Sequence, residues 1–244
     1  MLSQTSSICS ELRPDTAAEK ALEYGRILFE KCELKKAYEA YLEAFELSKG
    51  TQDLLALSQS IAGLLRLSAE ADDQSLITHW SNELNAIMEQ VPAEILPLVW
   101  YCHGVVASYA NDLKGAQRHY LMALRASKQL LKGSPTVGQR AEYVRIWSNL
   151  ADTLNRRKHS KRSTQLAQLL LTRFEKEDLP GINGPLYILM GLLCENSKEY
   201  DLALVWYQKA HSAFLKERHW FFHLYVLYAY ARIARFQRNY VQAY

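Results

Sequence analysis

The sequence has little cysteine, glycine or proline: four, ten and six residues among 244. The cysteines, at positions 9, 32, 102 and 194, form no CxxC pair and show no regular spacing. This pattern argues against a disulfide framework or a zinc module and predicts a reducing, cytoplasmic compartment. The N-terminal residues lack the basic and apolar regions of a secretory signal. No window approaches about 18 uninterrupted apolar residues, so we expect no membrane-spanning helix.

Catalytic and nucleotide-binding motifs are also missing. The chain contains no GxxxxGK[ST], GxGxxG, HExxH or GxSxG pattern, and its carboxylates are scattered over predicted outer faces, as is typical of solvated surfaces. We therefore expect a protein that is not an enzyme and that holds no cofactor. The net charge of +3, from 29 basic and 26 acidic residues, depends on one local run and does not indicate a surface-wide field for nucleic acid.

The remaining composition predicts an almost wholly helical chain. Alanine, leucine, glutamate, lysine and glutamine occur throughout, and the helix breakers cluster at 132–138 and 179–185. Residues 1–16 are polar and aperiodic, so we expect a loose segment. Eleven helices are predicted, at 17–31, 34–48, 51–68, 73–90, 93–110, 113–131, 138–157, 160–176, 184–196, 199–217 and 219–237.

A pattern recurs three times along the chain: a glycine, followed twelve residues later by Ala-x3-Tyr-x2-Ala. The copies are Gly25 with Ala37, Tyr41 and Ala44; Gly104 with Ala116, Tyr120 and Ala123; and Gly191 with Ala203, Tyr207 and Ala210. Weaker copies are marked by Gly63, by Trp147 and Ala151, and by Leu227, Tyr230, Ala231 and Ala234. The copies begin near residues 18, 56, 97, 144, 184 and 224.

These matches resemble the tetratricopeptide repeat (TPR) family. The resemblance implies an all-α fold: a right-handed α-solenoid of antiparallel helix pairs with about 11–12 helices. We expect one superhelical domain over 17–244, with about five and a half repeats. The spacing, longer than the family's about 34 residues, resembles that of bacterial regulatory TPR domains. Small residues would allow close helix approach, and tyrosines would fill the space between helices: Gly25, Gly104, Ala151 and Gly191, with Tyr41, Tyr120 and Tyr207.

The resemblance also implies a concave groove lined by the first helix of each repeat. Projected onto this chain, the candidate groove residues are Tyr101, Tyr109, Arg145, Asn155, Arg156, Tyr225, Tyr228, Arg232 and Arg235. Tyrosine and arginine dominate interaction hot spots, so this set suits a protein or peptide partner. Leu22 and Arg26 stand where chaperone-binding TPRs carry lysine and asparagine, so we do not expect a chaperone C-terminus as ligand.

Two functions follow from these expectations. The first is a non-enzymatic protein–protein interaction scaffold that binds a peptide or protein segment in the groove. The alternative is a sensory or regulatory module of a larger signalling or transcription-regulating protein, in which a ligand changes the shape of the superhelix. We do not expect direct binding of nucleic acid or of a membrane.

Several local features have two interpretations. The run NRRKHSKR at 155–162 is a solvated turn between helices or an electrostatic rim for an acidic partner. The aromatic stretch 219–236 is a packed helix, rather than a platform for stacked bases. His219 and His223 have a spacing that could chelate a metal, although packing roles are the stronger expectation, so we predict no metal site. Cys102 and Cys194 are expected to be buried thiols.

The chain stops at NYVQAY, just after a twelfth helix should begin. A solenoid that ends there leaves the apolar face of its last full helix uncovered. We therefore expect the chain to be a fragment of a longer protein. The alternatives are a partner, or self-association through the exposed C-terminal helix.

Overall fold

The computed structural model describes residues 17–177 and 181–237, and within these ranges it contains eleven α-helices and no strand. The expected loose segment 1–16 and the chain end at NYVQAY lie outside the described residues. The helices are α1 (Ala17–Glu30), α2 (Leu34–Thr51), α3 (Leu54–Glu70), α4 (Gln74–Ala86), α5 (Leu96–Tyr109), α6 (Leu113–Leu130), α7 (Val137–Arg156), α8 (Ser160–Phe174), α9 (Asn183–Asn196), α10 (Tyr200–Glu217) and α11 (Trp220–Phe236).

All eleven predicted helices are present, and most boundaries agree within two residues. The largest difference is at α4, which ends at Ala86 and not at 90; α3 begins at Leu54 and not at 51. There Asp53 forms the N-cap, because its carboxylate accepts hydrogen bonds of 3.1 Å from the amides of Leu55 and Ala56. Helix α4 ends at Ala86, followed by one 3₁₀ turn over Met88–Gln90. The chain then reaches Pro92, which disfavours helical backbone at the preceding residue.

The helices form two layers of an all-α solenoid. Consecutive helices pack against each other as antiparallel pairs, with α1 on α2, α5 on α6 and α9 on α10 in the most extensive contact. The odd-numbered helices also contact one another in the order α1, α3, α5, α7 and α9, so they form an inner layer. The even-numbered helices lie outside it. This is the all-α, paired-helix architecture that the repeat predicts.

Close helix approach occurs where the recurring glycines and tyrosines meet. A Cβ atom on Gly191 would lie 2.5 Å from Cε1 of Tyr207, and one on Gly25 would lie 2.9 Å from the ring of Tyr41. Gly104 faces Tyr120 in the same way. Only a residue without a side chain allows the rings to occupy these positions, which explains why glycine is present despite its cost of about 1 kcal/mol in a helix.

Gly63 departs from that scheme. A Cβ on Gly63 would lie 2.9 Å from the ring of Tyr41, which belongs to the preceding helix α2. Tyr41 therefore sits between Gly25 and Gly63, and the ring nearest to Gly63 belongs to the preceding helix pair, whereas those nearest to Gly104 and Gly191 belong to their own pair. The weak copy near 56–90 is still a helix pair, α3 with α4.

The turn inside each helix pair contains one residue with left-handed backbone. These residues are Cys32, Asp72, Asn111, Lys158 and Lys198, with φ between 53° and 65°. For a residue with a side chain this conformation costs about 1–2 kcal/mol, whereas glycine adopts it freely. The shared backbone shape indicates that the five turns are equivalent, although no glycine marks them in the sequence.

Lys158→Gly is expected to raise the free energy of unfolding by about 1 kcal/mol, because glycine removes the strain of the left-handed turn. For a chain of this size, the melting temperature should rise by about 2–4 °C. Gln165→Gly, at an exposed position inside α8, is the matched control and should lower stability by about 1 kcal/mol. Equal loss of stability in both variants would contradict the strain argument.

The inner layer curves until its two ends meet. The ring of Phe29, at the end of α1, lies 4.7 Å from the ring of Phe221 on α11, centroid to centroid. His219 packs on the same phenylalanine at 6.5 Å. The guanidinium of Arg66, on α3, lies 4.2 Å from the Phe29 ring centroid. The contact between the first and last described helices therefore encloses the concave side of the solenoid.

Candidate functional site

A cavity of about 500 Å³ occupies this concave side. It is lined by residues of α3, α5, α7, α9 and α11, so every part of the inner layer except α1 contributes to its wall. Cavities of this size hold a small molecule or a few residues of a peptide. The site therefore depends on the curvature of the solenoid and not on any one repeat.

One side of the cavity carries charged residues from α3 and α7. They comprise three guanidinium groups and two carboxyl groups: Arg66, Arg145, Arg156, Glu70 and Asp152. Glu70 accepts a hydrogen bond of 2.8 Å from the hydroxyl of Tyr109. Burial raises the pKa of Asp152, although Arg156 lowers it in part. Positive charge therefore prevails on this wall.

Arg156 has partners within the protein. Its guanidinium donates hydrogen bonds to the Ser108 hydroxyl at 2.6 Å, to the Ser108 carbonyl at 3.1 Å and to Oδ1 of Asn111 at 3.3 Å. These bonds link the end of α7 to the turn between α5 and α6. Because its donors are engaged, Arg156 stabilises the packing of neighbouring repeats as well as lining the cavity.

Arg66 and Arg145 differ from Arg156. Within the described part of the chain, neither guanidinium lies within ion-pair distance of a carboxylate, and Nε of Arg145 is buried without a hydrogen-bond partner. Burial raises the pKa of Glu142, one turn before Arg145, and the arginine lowers it only in part. An unsatisfied buried donor costs about 1–3 kcal/mol, so the described residues leave the guanidinium of Arg145 incompletely satisfied.

The opposite side of the cavity is apolar. Helices α9 and α11 present aliphatic and aromatic side chains to it: Pro185, Ile188, Leu189, Leu192, Phe221, Phe222 and Tyr225. Tyr101 and Tyr109 of α5 also line the cavity, and α5 lies between α3 and α7 in the inner layer. Burial raises the pKa of Tyr101, so its hydroxyl stays protonated at neutral pH. The site thus combines a basic wall with an aromatic and aliphatic one.

Five of the nine predicted groove residues lie together in this cavity: Tyr101, Tyr109, Arg145, Arg156 and Tyr225. The other four lie elsewhere. Asn155 is half-buried at the end of α7, and Tyr228 and Arg235 are exposed on α11. Arg232 donates to the two carboxylate oxygens of Glu195 at 2.5 and 2.7 Å, and it lies over the Tyr228 ring. These four do not line the cavity because they fall on other faces of their helices.

The sequence reasoning missed Arg66, Glu70, Phe221 and Phe222, all of which line the cavity. Arg66 and Glu70 lie in the second repeat, whose match to the pattern is weak. Phe221 and Phe222 begin α11 and were attributed to packing only. Arg66 and Glu70 are separated by four residues, as are Arg145 and Asn149 on the cavity face of α7, and this helical spacing is the one signal that could have found them.

The residues of the basic run 155–162 have different structural roles. Arg156 holds the neighbouring turn, and Arg157 donates to Gln117 on α6. Lys158 occupies the left-handed turn position. Lys161 and Arg162 are exposed in the first turn of α8. The run is thus only in part a solvated turn, because two of its arginines bind the preceding repeat.

The histidines considered as metal ligands, and the two cysteines inside helices, pack against other side chains. His219 lies among Phe29, Phe214 and Phe222, while the His223 ring lies 4.7 Å from that of His211. Among the described residues, no group of three or more histidine, cysteine or acidic side chains is placed to hold a metal ion. Cys102 and Cys194 are buried, as expected, and burial raises the pKa of Cys102 to about 12.

Comparisons with known proteins add little to this description. No family model matches the chain, and no curated protein matches it. Among solved structures, it is similar to the apo form of RapI, at 14% sequence identity and a TM-score of 0.41, over 93% of this chain and 74% of that one. A likeness at this score carries no functional argument. Within the described ranges, no helix is both long and apolar enough to cross a bilayer.

Proposed function

We propose that this chain is a TPR-like, non-enzymatic interaction module that binds a short acidic segment of a peptide or protein in its cavity. The observation that carries the proposal is the pair Arg66 and Arg145, which line the cavity without a carboxylate partner among the described residues. A carboxylate bound there would form charge-assisted hydrogen bonds with guanidinium donors. The apolar wall opposite suits an aromatic or aliphatic side chain of the same segment.

We also propose that the chain forms a single domain of the long-repeat regulatory TPR type and that the protein is cytoplasmic, as the sequence predicts. We do not propose that it binds nucleic acid directly. The cavity is too small for a duplex, and the exposed cations of the basic run are limited to the end of α7, the turn and the start of α8.

A binding assay with defined peptides tests the proposal. The probes are fluorescent hexapeptides that each carry a carboxylate and an aromatic residue, and matched peptides in which asparagine and glutamine replace the acidic residues. We expect the acidic set to bind. Arg145→Ala should weaken its binding by thirtyfold or more, because truncating a buried charged contact costs about 2–5 kcal/mol.

The control variant is Arg125→Ala, which removes an exposed arginine from the outer helix α6 and should leave the affinity unchanged. Equal binding of the acidic and neutral peptides, or full affinity in Arg145→Ala, would contradict the proposal. A single-stranded oligonucleotide, titrated over a salt series, serves as a further probe. Steeply salt-dependent binding to the oligonucleotide alone would favour nucleic acid instead.

The contact between α1 and α11 favours a second candidate, a regulatory module of a larger signalling or transcription-regulating protein. Phe221 both closes this contact and lines the cavity. A ligand that binds one closure state more tightly would shift the population of states. Hydrogen exchange with and without a bound acidic peptide distinguishes the two candidates. Changed protection at α1 and at the start of α11 supports regulation, and unchanged protection there supports a scaffold.

A further inference from the structure

The face of α11 that points away from the cavity is apolar and exposed. Trp220, Leu224, Leu227 and Tyr228 have exposed fractions between 41% and 64%. They recur at helical spacing, so they share one side of α11. Ala231 and Arg235 continue the same side towards the end of the helix. This surface, the α11 outer face, is the longest run of exposed large apolar side chains on one described helix.

The charges of α11 are unbalanced. The helix contains two arginines and no acidic residue. Arg232 is neutralised by Glu195, at 2.5 Å. Arg235 is exposed, and in the described part of the chain it forms no ion pair. The α11 outer face therefore carries an exposed indole at one end and an exposed guanidinium at the other.

We propose that the α11 outer face binds a second copy of this chain, in an antiparallel arrangement about a two-fold axis between Leu227 and Tyr228. Such an axis brings the same patch of each copy together, as in most homodimers. Leu224 then packs opposite Ala231 of the second copy. Trp220 lies opposite Arg235 of the second copy, so each end gains a cation–π contact.

The charge of Arg235 decides the direction of pairing. In a parallel arrangement the two Arg235 side chains would lie side by side and repel each other. In the antiparallel arrangement they are separated by fifteen residues of helix, about 22 Å at about 1.5 Å per residue. That distance exceeds two Debye lengths of about 8 Å at physiological salt. The face is complementary to itself only in the antiparallel direction.

Sedimentation velocity of the full chain, over a micromolar concentration series, tests the proposal. We expect a monomer–dimer equilibrium that Leu227→Asp weakens at least tenfold, because two carboxylates would meet at the axis. Leu169→Asp is the matched control, since Leu169 is exposed on α8 and away from α11. Dimerisation of the control should equal that of the unchanged chain.

Variants that change the charge at positions 220 and 235 test which residues of the two α11 helices lie opposite each other. Trp220→Lys places a second cation opposite Arg235, and Arg235→Glu removes the cation from the indole, so each should weaken the dimer. The double variant pairs Lys with Glu at both ends and should restore dimerisation to within about threefold of the unchanged chain. These variants alter exposed positions of a helix whose buried face they leave intact.

Three results would overturn the proposal. The first is an unchanged chain that stays monomeric throughout the series. The second is a dimer that Leu227→Asp does not weaken, or that the double variant does not restore. The third is a dimer that forms only when the chain is shortened to end at Gln237, which would mean that residues 238–244 of the same molecule cover the face.

Discussion

Replacing Tyr207 with alanine is expected to lower the free energy of unfolding by about 3–5 kcal/mol. Its ring is fully buried between α9 and α10, against Gly191, and packs edge-on to Tyr230. Its hydroxyl donates to Glu195 at 2.8 Å. The substitution leaves a cavity and removes one hydrogen bond from the carboxylate that also binds Arg232. Urea unfolding followed by circular dichroism measures the loss.

Tyr207→Phe is the control, because it keeps the ring and removes only the hydroxyl. Its expected cost is about 1 kcal/mol. A loss as large as that of the alanine variant would mean that the hydrogen bond, and not the packing, provides most of the stability.

Gly191→Ala tests the same contact, because its effect on stability should change sign when Tyr207 is removed. In the unchanged chain the new Cβ would lie 2.5 Å from the Tyr207 ring, so the substitution should cost about 1–3 kcal/mol. In the Tyr207→Ala background the space is open, and alanine should stabilise the helix by about 1 kcal/mol. Additive effects would show that the two residues are not coupled.

Acidification is expected to destabilise the protein through His219. Burial, and to a smaller extent the charges of Arg66 and Arg145, together lower the pKa of His219 to about 4. An unfolded histidine titrates near 6.5. Between pH 6.5 and 4 the unfolded chain therefore binds a proton that the folded chain excludes. Stability falls as the pH falls through this window, and the loss attributable to His219 is complete below pH 4, where it reaches about 2–3 kcal/mol.

His219→Phe isolates this contribution, because phenylalanine can keep the ring contacts with Phe29, Phe214 and Phe222. We subtract the free energy of unfolding of the variant from that of the unchanged chain. This difference should be about 2–3 kcal/mol lower at pH 4 than at pH 7. Other groups with shifted pKa values, such as His103, are present in both proteins and cancel. His159→Phe, in an exposed turn, is the control. A pH-independent difference between the unchanged chain and His219→Phe would refute the assignment.

The helices and their pairing could be predicted because both depend on neighbours in the sequence. Helical propensity and apolar spacing act over one or two turns, and the contact of Gly104 with Tyr120 joins consecutive helices. Gly63 shows the limit of this reasoning. It marks a weak copy that lacks Ala-x3-Tyr-x2-Ala twelve residues later, and its nearest ring, Tyr41, lies on the preceding helix.

The candidate site could be predicted only in part. The repeat register places Tyr101, Tyr109, Arg145, Arg156 and Tyr225 on the inner layer, and these five residues line the cavity. Tyr228, Arg232 and Arg235 were assigned to the groove by the same register, but the curvature of the solenoid turns their side of α11 away from the cavity. A rotation of one helix about its axis does not change its periodicity, so no sequence pattern reports it.

The sequence by itself determined the helices, their antiparallel pairing and the glycine–tyrosine contacts of the strong repeats, because these rest on local backbone preference and nearest-neighbour packing. Only the tertiary structure decided that α1 meets α11 through Phe29 and Phe221, that Arg66 and Arg145 share one cavity wall, and which side of α11 stays exposed. The reason is that small rotations accumulate from one helix pair to the next. Their sum sets the distance between residues nearly two hundred positions apart.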